Sequence, residues 1–259
     1  MMTTMTRDNK PVEMVGFDSE VDQPFADNTV GTADGGTECA SIHDVAINNK
    51  TFGIRVADTD EGRSSASLLI NKMYAWRGYA GTHKVEDRPN RITLSANDGG
   101  VVRGTVTLSI DSEIGILADE VFKDHIDQFR SRGAKVCEIT KLAFDPAEGS
   151  KKALASLFHI LFIYGRYLHN CTDVFIEVNP RHRRYYETML GFKRLCEVRS
   201  NPRVNAPAYL LWTSIDNVQR EIERLGGTSS NPGTERSLYP YFFSPSEERG
   251  IAHRLLNIG

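Results

Sequence analysis

The amino-acid sequence predicts an α/β fold with a central mixed β-sheet and helices on both faces of the sheet. Because this sheet combines parallel and antiparallel strands, the fold can also be described as α+β. Short apolar runs typical of buried strands recur along residues 50–215, and stretches with helical spacing separate several of them. The run "RITLSANDGGVVRGTVTLSID" contains a turn sequence between two alternating segments, which indicates an antiparallel hairpin. Because helices that connect buried strands must cover the faces of the sheet, these observations together favour a mixed sheet.

The first half of this region begins with the run "TFGIRVADT", in which apolar residues alternate as they do in a strand. The next run, "DEGRSSASLLINKMYAWRGY", has apolar residues at helical spacing. The hairpin follows, and then "LADEVFKDHIDQFRSRG" predicts an amphipathic helix that Gly133 ends.

The second half begins with the strand "AKVCEITKLAFDP", which precedes a helix, "SKKALASLFHILFIYGRYLHN", that is apolar almost all round and therefore central. A buried strand, "DVFIEVNP", leads into a short helix with Gly191 at its C-cap. The final elements are two strand-like runs and a polar helix. They are "FKRLCEVRS", "AYLLWTSI" and "DNVQREIERLGG".

The composition divides the chain into three regions. Residues 1–48 are polar and acidic and predict a flexible tail, with a lid or a dimer arm as the alternative. Residues 49–226 form one predicted α/β domain, and residues 227–259 form a linker followed by an aromatic segment. We expect those aromatic side chains to dock either on the body of the protein or on a second copy as a homodimer.

The charge and cysteine content restrict the classes of function. A formal net charge of -3 favours neither nucleic acid nor a membrane surface as a partner. The four cysteines show no zinc-ligand spacing and the histidines no spacing that suggests a metal, so we expect no metal site. No run predicts a signal peptide or a membrane span, and a cytoplasmic location is the simplest interpretation.

Two motifs carry a resemblance to known families. The run "EVNPRHRRYYETMLGF" resembles the closing signature of the GNAT acyltransferase superfamily, in which a strand ends in Asn, a helix carries a Tyr, and Gly-Phe follows. The run "GILADEVFKDHIDQFRSRGAKVCEITKLAFDP" is similar to one branch, the bacterial long-chain N-acyl amino acid synthases, relatives of the acyl-homoserine-lactone synthases. In both families a strand Glu is followed three residues later by a basic residue, here Glu138 and Lys141.

Three features depart from the family patterns. The turn "DPAEGSKKALAS" has one glycine, Gly149, where coenzyme A users usually carry two. Tyr186 lies five residues before Gly191 rather than four, which leaves Tyr185 as an alternative for the same role. Lys141 stands where the homoserine-lactone branch usually has Arg, and a lysine cannot make the bidentate contact of an arginine.

The resemblance implies a mechanism in which Glu138 removes a proton from the attacking amine and a tyrosine protonates the departing thiolate. Strand alternation puts Val136, Glu138, Thr140 and Leu142 on one face and Lys141 on the other, unless a bulge intervenes. The alternative for Glu138 is an ion pair that only holds the sheet together. The alternative for Tyr186 is a packed aromatic side chain.

The resemblance also implies where the donor binds. Lys141, Leu142 and Ala143 would line a gap in the sheet that takes a pantetheine arm, as an alternative to an ordinary core strand. The turn at Gly149 and the helix start at Lys151 and Lys152 would receive its phosphate. The single glycine favours acyl-phosphopantetheine of an acyl carrier protein over acyl-coenzyme A, with no tightly bound cofactor.

The remaining candidates concern substrates and partner. Arg181, Arg183 and Arg184 form a basic run that would receive an acidic acyl carrier protein, although for each residue alone a solvated surface is the simpler interpretation. Two further sets would bind substrates. The first, Trp76 and Arg77, would hold an amino acid, and the second, Phe158 and Phe162, would wall a fatty acyl pocket unless they are plain core.

We therefore expect an N-acyltransferase that moves a long-chain acyl group from a carrier-protein thioester to the α-amine of an amino acid. The alternatives are an acyl- or acetyl-coenzyme A-dependent N-acetyltransferase, a non-catalytic module that binds a carrier protein, and an autoinducer synthase that releases a lactone.

Overall fold

The computed structural model describes residues 42–47, 50–79, 81–145, 151–230 and 233–257. These residues form nine strands and six α-helices. The strands are β1 (His43–Ile47), β2 (Lys50–Val56), β3 (Arg91–Asp98), β4 (Val101–Ile110), β5 (Val136–Phe144), β6 (Asp173–Val178), β7 (Lys193–Arg194), β8 (Arg199–Asn201) and β9 (Ala206–Ser214). The helices are α1 (Asp60–Trp76), α2 (Asp119–Arg130), α3 (Lys151–Ile163), α4 (Arg183–Leu190), α5 (Ile215–Leu225) and α6 (Pro245–Asn257).

The strands form one mixed sheet in the order β1-β2-β3-β4-β5-β6-β9-β7, and β8 also pairs with β9. The pair β5 and β6 is parallel, and the other pairs are antiparallel. The predicted hairpin joins β3 to β4 through Gly99 and Gly100, whose φ angles of 55° and 82° suit the two-residue turns that match strand twist. The mixed sheet predicted from the sequence is therefore present.

Helices cover both faces of the sheet. On one face, Phe122 and Ile126 of α2 pack against Val136 and Phe175 of the two parallel strands. Ala143 of β5 packs against α1. Its pairing with Thr105 of β4 puts it on this same face. On the other face, the buried side chains of α3 pack against Cys137, Val174 and Ile176. Outside a bulge in β5, consecutive residues of β5 and β6 therefore point alternately to an α1/α2 face and an α3 face.

Helix α3 is the most deeply buried helix of the described chain. Each of its residues from Ala153 to Ile163 is buried. An apolar surface around the whole circumference is stable only when protein covers it on all sides, as the sequence predicted. One turn of π-helix, Tyr164–Leu168, continues the helix to the loop before β6.

Residues at both ends of the predicted domain join it. Residues 43–47, at the end of the predicted tail, pair with β2 as β1, and residues 1–41 lie outside the described part. Near the C-terminus, Tyr239, Phe242 and Phe243 are 2–4% exposed against the chain's own core. These three rings therefore dock on the body of the protein, which is the first of the two predicted alternatives. Because they are buried, they are not exposed to a second copy.

No helix among the residues that the structure describes is long and apolar enough to span a bilayer.

Candidate active site

The carboxyl group of Glu138 is buried in the middle of the sheet, with 1% of the residue exposed. Its Oε2 accepts hydrogen bonds from the backbone N–H groups of Leu117 at 2.7 Å and Ala118 at 3.3 Å. Ala118 is the N-cap of α2, and its methyl side chain makes no capping hydrogen bond. Glu138 therefore binds the two residues that lead into α2, and the positive end of the helix dipole lies close to its carboxylate.

Burial, and after it the nearby carboxylate of Glu177, raise the pKa of Glu138 to about 8. The two N–H donors and the guanidinium of Arg203 act in the opposite direction. Desolvation dominates because water cannot reach the charged form in the interior. A carboxylate that titrates near neutral pH is well matched to accept a proton from an amine. Glu138 makes no ion pair with a described residue, although the charge of Arg203 acts on its pKa.

Sequence reasoning missed a second carboxylate beside Glu138. Glu138 pairs with Phe175 of β6, and Glu177 lies two residues farther along that strand, so both carboxylates point to the α1/α2 face. Asn201 and Arg203 donate hydrogen bonds to Glu177. Arg203 also donates to the carbonyl oxygen of Leu117 at 2.7 Å, which ties this network to the loop that binds Glu138. The sequence signal that could have identified Glu177 is a charged residue among the apolar residues of β6.

Two hydroxyl groups next to Glu138 were also missed. Ser109 is the cross-strand neighbour of Glu138 on β4, and Thr140 lies two residues farther along β5, on the same face. Both side-chain oxygens are buried and have no hydrogen-bond partner among the described residues. Thr93 and Thr107 in the same row bond to each other at 2.7 Å. Because unpaired buried hydroxyls are costly, Ser109 and Thr140 are candidates to bind a polar substrate.

The two parallel strands separate directly beyond Glu138. Within the described chain, β5 and β6 pair only between Val136–Glu138 and Asp173–Phe175. Farther on, β5 stays with β4 as far as Phe144, and β6 stays with β9 as far as Val178. The backbone groups of β5 that face this widening space are not in the ladder with β6. They can bond to a ligand that lies between the strands.

A β-bulge at Lys141 and Leu142 changes which residues share the face of Glu138. Thr107 of β4 pairs with Thr140, but Thr105 pairs with Ala143, so two residues of β5 oppose one of β4. Lys141 has a left-handed φ of 52°. The prediction that Leu142 shares the face of Glu138 is therefore wrong: the bulge puts Ala143 there, against α1, and Leu142 packs on the α3 face.

The side chain of Lys141 reaches away from the gap. Its Nζ donates a hydrogen bond to the carbonyl oxygen of Lys84, in the segment between α1 and β3. Burial lowers the pKa of Lys141, as does Arg91, while Glu86 opposes the shift. The carbonyl oxygen of Lys141 accepts a bond from the Thr105 hydroxyl at 3.0 Å, which holds the bulge in place.

The residues predicted to hold the donor phosphate lie at the start of α3. Lys151 is half-buried and Lys152 is exposed, and they form the first turn of the helix. Gly149, predicted to belong to the same site, lies outside the described residues.

The tyrosines 185 and 186 are on α4, with ring centroids 5.4 Å apart. Burial raises the pKa of Tyr185 to about 12 and raises that of Tyr186 above its usual range. Both phenols are therefore protonated at neutral pH. Neither hydroxyl bonds to another residue in the described part of the chain, so each is available as a proton donor.

The predicted basic run begins in a single 3₁₀ turn, Pro180–His182, and continues into α4. The Nε atom of Arg183 lies 3.6 Å from Oε2 of Glu187, and its guanidinium lies over the ring of Tyr209. Arg184 is exposed and makes no ion pair with a described residue. Burial, together with Arg181 and Arg77, lowers the pKa of His182 to about 4. The positive charge of this surface at neutral pH therefore comes from the arginines.

The end of α1 meets this basic run. The guanidinium of Arg181 donates to the carbonyl oxygen of Arg77 at 2.9 Å and lies over the Tyr79 ring. Arg77 in turn lies over the ring of Trp76, which is 62% exposed, and its charge lowers the pKa of Tyr186 against the effect of burial. Arg77, Arg181 and Tyr186 are therefore close to one another. The sequence analysis assigned them to the amino acid acceptor, the carrier protein and the proton donor, respectively.

An apolar cavity of about 40 Å³ lies on the α3 face, behind Glu138. Cys137 and Ile139, the two neighbours of Glu138 in the sequence, point into it. Phe158 and Phe162, the residues predicted to wall an acyl pocket, line it from α3. The carboxylate and the cavity therefore lie on opposite sides of the sheet, next to the place where β5 and β6 separate.

Among the residues that the structure describes, no three His, Cys, Asp or Glu side chains are grouped so that they could hold a metal ion.

A model of the family described as "N-acyl amino acid synthase FeeM" matches residues 65–214, more than half of the chain. The matched range includes both carboxylates, the bulge and the two tyrosines. No curated protein sequence matches the chain.

The chain is also similar to solved structures, to different degrees. The structure of FeeM, an N-acyl amino acid synthase from uncultured soil microbes, has a TM-score of 0.59 at 22% identity and covers 66% of this chain and 94% of that chain. An N-acetyltransferase from Staphylococcus aureus Mu50 has a TM-score of 0.46 at 13% identity, with 64% and 99% covered. A coenzyme A-dependent acyl-homoserine lactone synthase, MesI, has a TM-score of 0.46 at 13% identity, with 64% and 91% covered.

Proposed function

The chain belongs to the FeeM family of N-acyl amino acid synthases, with the predicted GNAT fold and N-acyltransferase activity, and from this premise we propose its donor and acceptor. The donor is a long-chain fatty acyl group on the phosphopantetheine arm of an acyl carrier protein. The acceptor is the α-amine of an amino acid, and the product is an N-acyl amino acid.

The observation that carries this proposal is the position of Glu138. The carboxylate is buried, its pKa lies at about 8, and it is the last residue of β5 in the parallel ladder before the strands separate. An amine is nucleophilic only without its extra proton, so a base at this point serves the attack on a thioester that lies in the gap.

The proposed reaction proceeds by addition and elimination. The α-ammonium group first loses its extra proton to solvent. Glu138 then accepts a second proton from the amine as its nitrogen forms a bond to the thioester carbon, and later releases that proton to solvent. Backbone N–H groups of β5 beyond Glu138 stabilise the oxyanion. The carbon–sulfur bond then breaks, and the thiolate takes a proton from Tyr186, which recovers one from solvent. The hydroxyl of Tyr185 is the alternative proton donor.

The acceptor site is proposed on the α1/α2 face. The unpaired hydroxyls of Ser109 and Thr140 support it, because an amino acid supplies polar groups that these hydroxyls otherwise lack. At the edge of this face, Arg77 makes no ion pair with a described residue, and its guanidinium suits the acceptor carboxylate, with Trp76 beside it.

The donor site is proposed along the gap between β5 and β6. The phosphate of the arm would lie at the start of α3, near Lys151 and Lys152. The carrier protein itself would dock on Arg181, Arg183 and Arg184, because carrier proteins are acidic and this surface is basic. The far end of the fatty chain would enter the apolar cavity between Phe158, Phe162 and the sheet, where its burial is favourable.

The test is to incubate the protein with long-chain acyl carrier protein and pooled amino acids, and to search for acyl amides by mass spectrometry. Long-chain acyl-coenzyme A and acetyl-coenzyme A serve as separate donors in parallel. The expected result is an N-acyl amino acid that forms faster from the carrier protein than from either coenzyme A thioester.

Three results would contradict parts of the proposal. Absence of amide with every donor removes the acceptor and donor assignments together. A preference for acetyl-coenzyme A removes the carrier protein and the fatty chain. A lactone product in place of a linear amide would indicate an autoinducer synthase.

A further inference from the structure

The C-terminal segment, residues 238–257, lies beyond the family match, which ends at residue 214, yet it forms part of the core. Tyr239 is 2% exposed and its hydroxyl donates to the carbonyl oxygen of Leu190 at 2.8 Å, at the end of α4. The N–H group of Leu238 donates to the carbonyl oxygen of Met189 at 2.9 Å. The segment is therefore joined by hydrogen bonds to the helix that carries the candidate tyrosines.

A buried polar network fastens the same segment to α3. His159 is fully buried between the rings of Phe242 and Phe243, at centroid distances of 5.1 Å and 5.0 Å. Its Nδ1 accepts from the N–H group of Phe243 at 2.9 Å, so a neutral ring donates from Nε2 to Glu248 at 3.2 Å. The hydroxyl of Tyr167 donates to the other oxygen of Glu248 at 2.7 Å.

This network holds two aromatic side chains of the segment in the wall of the apolar cavity. Tyr239 and Phe242 line the cavity together with Phe158 and Phe162 of α3. Phe243 has almost the same exposure as Phe242, 4% against 3%, but does not line the cavity. At about 40 Å³ the cavity has room for a few water molecules, so the size of each lining ring decides how much chain fits.

We propose that the C-terminal segment is part of the acyl-binding site and that Phe242 and Tyr239 limit the length of fatty chain the cavity accepts. The inference rests on the proposed function, because the acyl chain is the occupant. It adds that elements outside the family match determine which chains are used. The lining is apolar and lies directly behind Glu138, so a chain attached to the reacting carbonyl extends toward these rings.

The test compares chain-length preference in variants of the full-length protein. Carrier protein loaded with a mixture of even-numbered saturated acyl chains, from medium to long, competes for limiting enzyme, and mass spectrometry gives the product distribution. Phe242→Ala removes a ring from the wall, and Phe242→Leu removes less volume if the first variant folds poorly. Phe243→Ala is the matched control. Val218→Phe, at a lining residue of α5, fills the cavity instead.

The expected result is a shift toward longer chains for both Phe242 variants and toward shorter chains for Val218→Phe, with no shift for Phe243→Ala. Each methylene that gains or loses a place changes relative turnover by roughly 10-fold or more. An unchanged distribution in the Phe242 variants, or the same shift in Phe243→Ala, overturns the inference while the proposed function stands.

A binding measurement decides the inference if wild type yields no amide. The change in Tm caused by free fatty acids of graded length is measured for wild type, Phe242→Ala and Phe243→Ala. The longest stabilising chain should increase only in Phe242→Ala. Equal limits in the three proteins overturn the inference, and absence of amide alone overturns only the proposed function.

Discussion

Glu138 and Glu177 lie on the same face of the two parallel strands, and the charge of the second carboxylate raises the pKa of the first. Arg203 opposes this effect and also bonds to Glu177. The pKa of the candidate base is therefore adjusted by residues that are distant from it in the sequence, and the first predictions test this arrangement.

We expect Glu177→Gln to shift the acid limb of the pH–rate profile to lower pH. The rate of wild type should rise with pH up to about 8, because Glu138 must lose its proton to act as a base. Removal of the neighbouring negative charge favours ionisation of Glu138 at lower pH. The measurement is kcat/KM as a function of pH. Glu197→Gln, at a carboxylate with 84% of its side chain exposed, is the control, and equal profiles in both variants would rule out the coupling.

Glu138→Gln should lower kcat by roughly 10² to 10⁴-fold, because an amide cannot accept the proton of the amine. The amide still accepts hydrogen bonds from Leu117 and Ala118 through its oxygen, so the fold is retained. The measurement is single-turnover acyl transfer with far-ultraviolet circular dichroism as the check on folding. Full turnover in a folded variant would remove Glu138 from the mechanism.

The same variant should change how stability depends on pH. The pKa of Glu138 rises from 4.5 to about 8 on folding, so its contribution is fully present below pH 4.5 and is lost as pH rises through 8. The loss is on the order of 5 kcal/mol in the free energy of unfolding. Urea unfolding of wild type and Glu138→Gln between these pH values measures it. As pH rises, the free energy of unfolding of wild type should fall steadily relative to that of the variant. A difference in unfolding free energy that does not change with pH would mean that the pKa of Glu138 is the same in the folded and unfolded states.

Ser109→Ala should raise KM for the amino acid by roughly 10-fold, because one hydrogen bond to a polar substrate is lost. Its stability should stay equal or increase, since the hydroxyl has no partner in the described structure. Ser156→Ala is the matched control, a buried hydroxyl that bonds to the carbonyl oxygen of Lys152 at 2.8 Å. That variant should lose about 1 kcal/mol of stability with KM unchanged. A reversed pattern would remove Ser109 from the acceptor site.

Arg184→Glu should raise KM for the acyl carrier protein by roughly 3- to 10-fold and leave KM for a short acyl-pantetheine donor unchanged. Arg184 is exposed, so its charge acts on a partner protein rather than on the fold. The effect should shrink as salt concentration rises, because exposed charges are screened. Arg254→Glu on α6 reverses an exposed charge on another element and serves as the control. An equal effect on both donors would contradict docking at this surface.

Local patterns predicted the elements that form the fold. The apolar circumference of α3, the glycines between β3 and β4, and the glycine that ends α4 each have a cause within a few residues in the chain. The same holds for the choice of Glu138, which combines a resemblance with the alternation of a strand. These features could be predicted because helix and strand periods and turn conformations depend on neighbouring side chains.

The electrostatic partners of Glu138 could not be predicted in the same way. Glu177 is 39 positions away in the sequence, and its place beside Glu138 depends on the register of a parallel pair, which no local pattern specifies. The left-handed residue Lys141 is similar: strand alternation gave the wrong face for Leu142 because the bulge depends on pairing with β4.

The amino-acid sequence by itself determined the order of the main strands and helices between residues 50 and 225, the mixed sheet, and the family to which the motifs belong. The strand β1 and the helix α6 lie outside that range and were not predicted. Tertiary structure decided that Glu138 accepts hydrogen bonds from the residues that lead into α2, that a second carboxylate lies beside it, and that C-terminal aromatic rings wall the cavity behind it. The physical reason is the distance over which each effect acts. Backbone propensity and apolar periodicity depend on residues that are close in the sequence. Desolvation and charge coupling act through space, between residues that only the packed fold brings together.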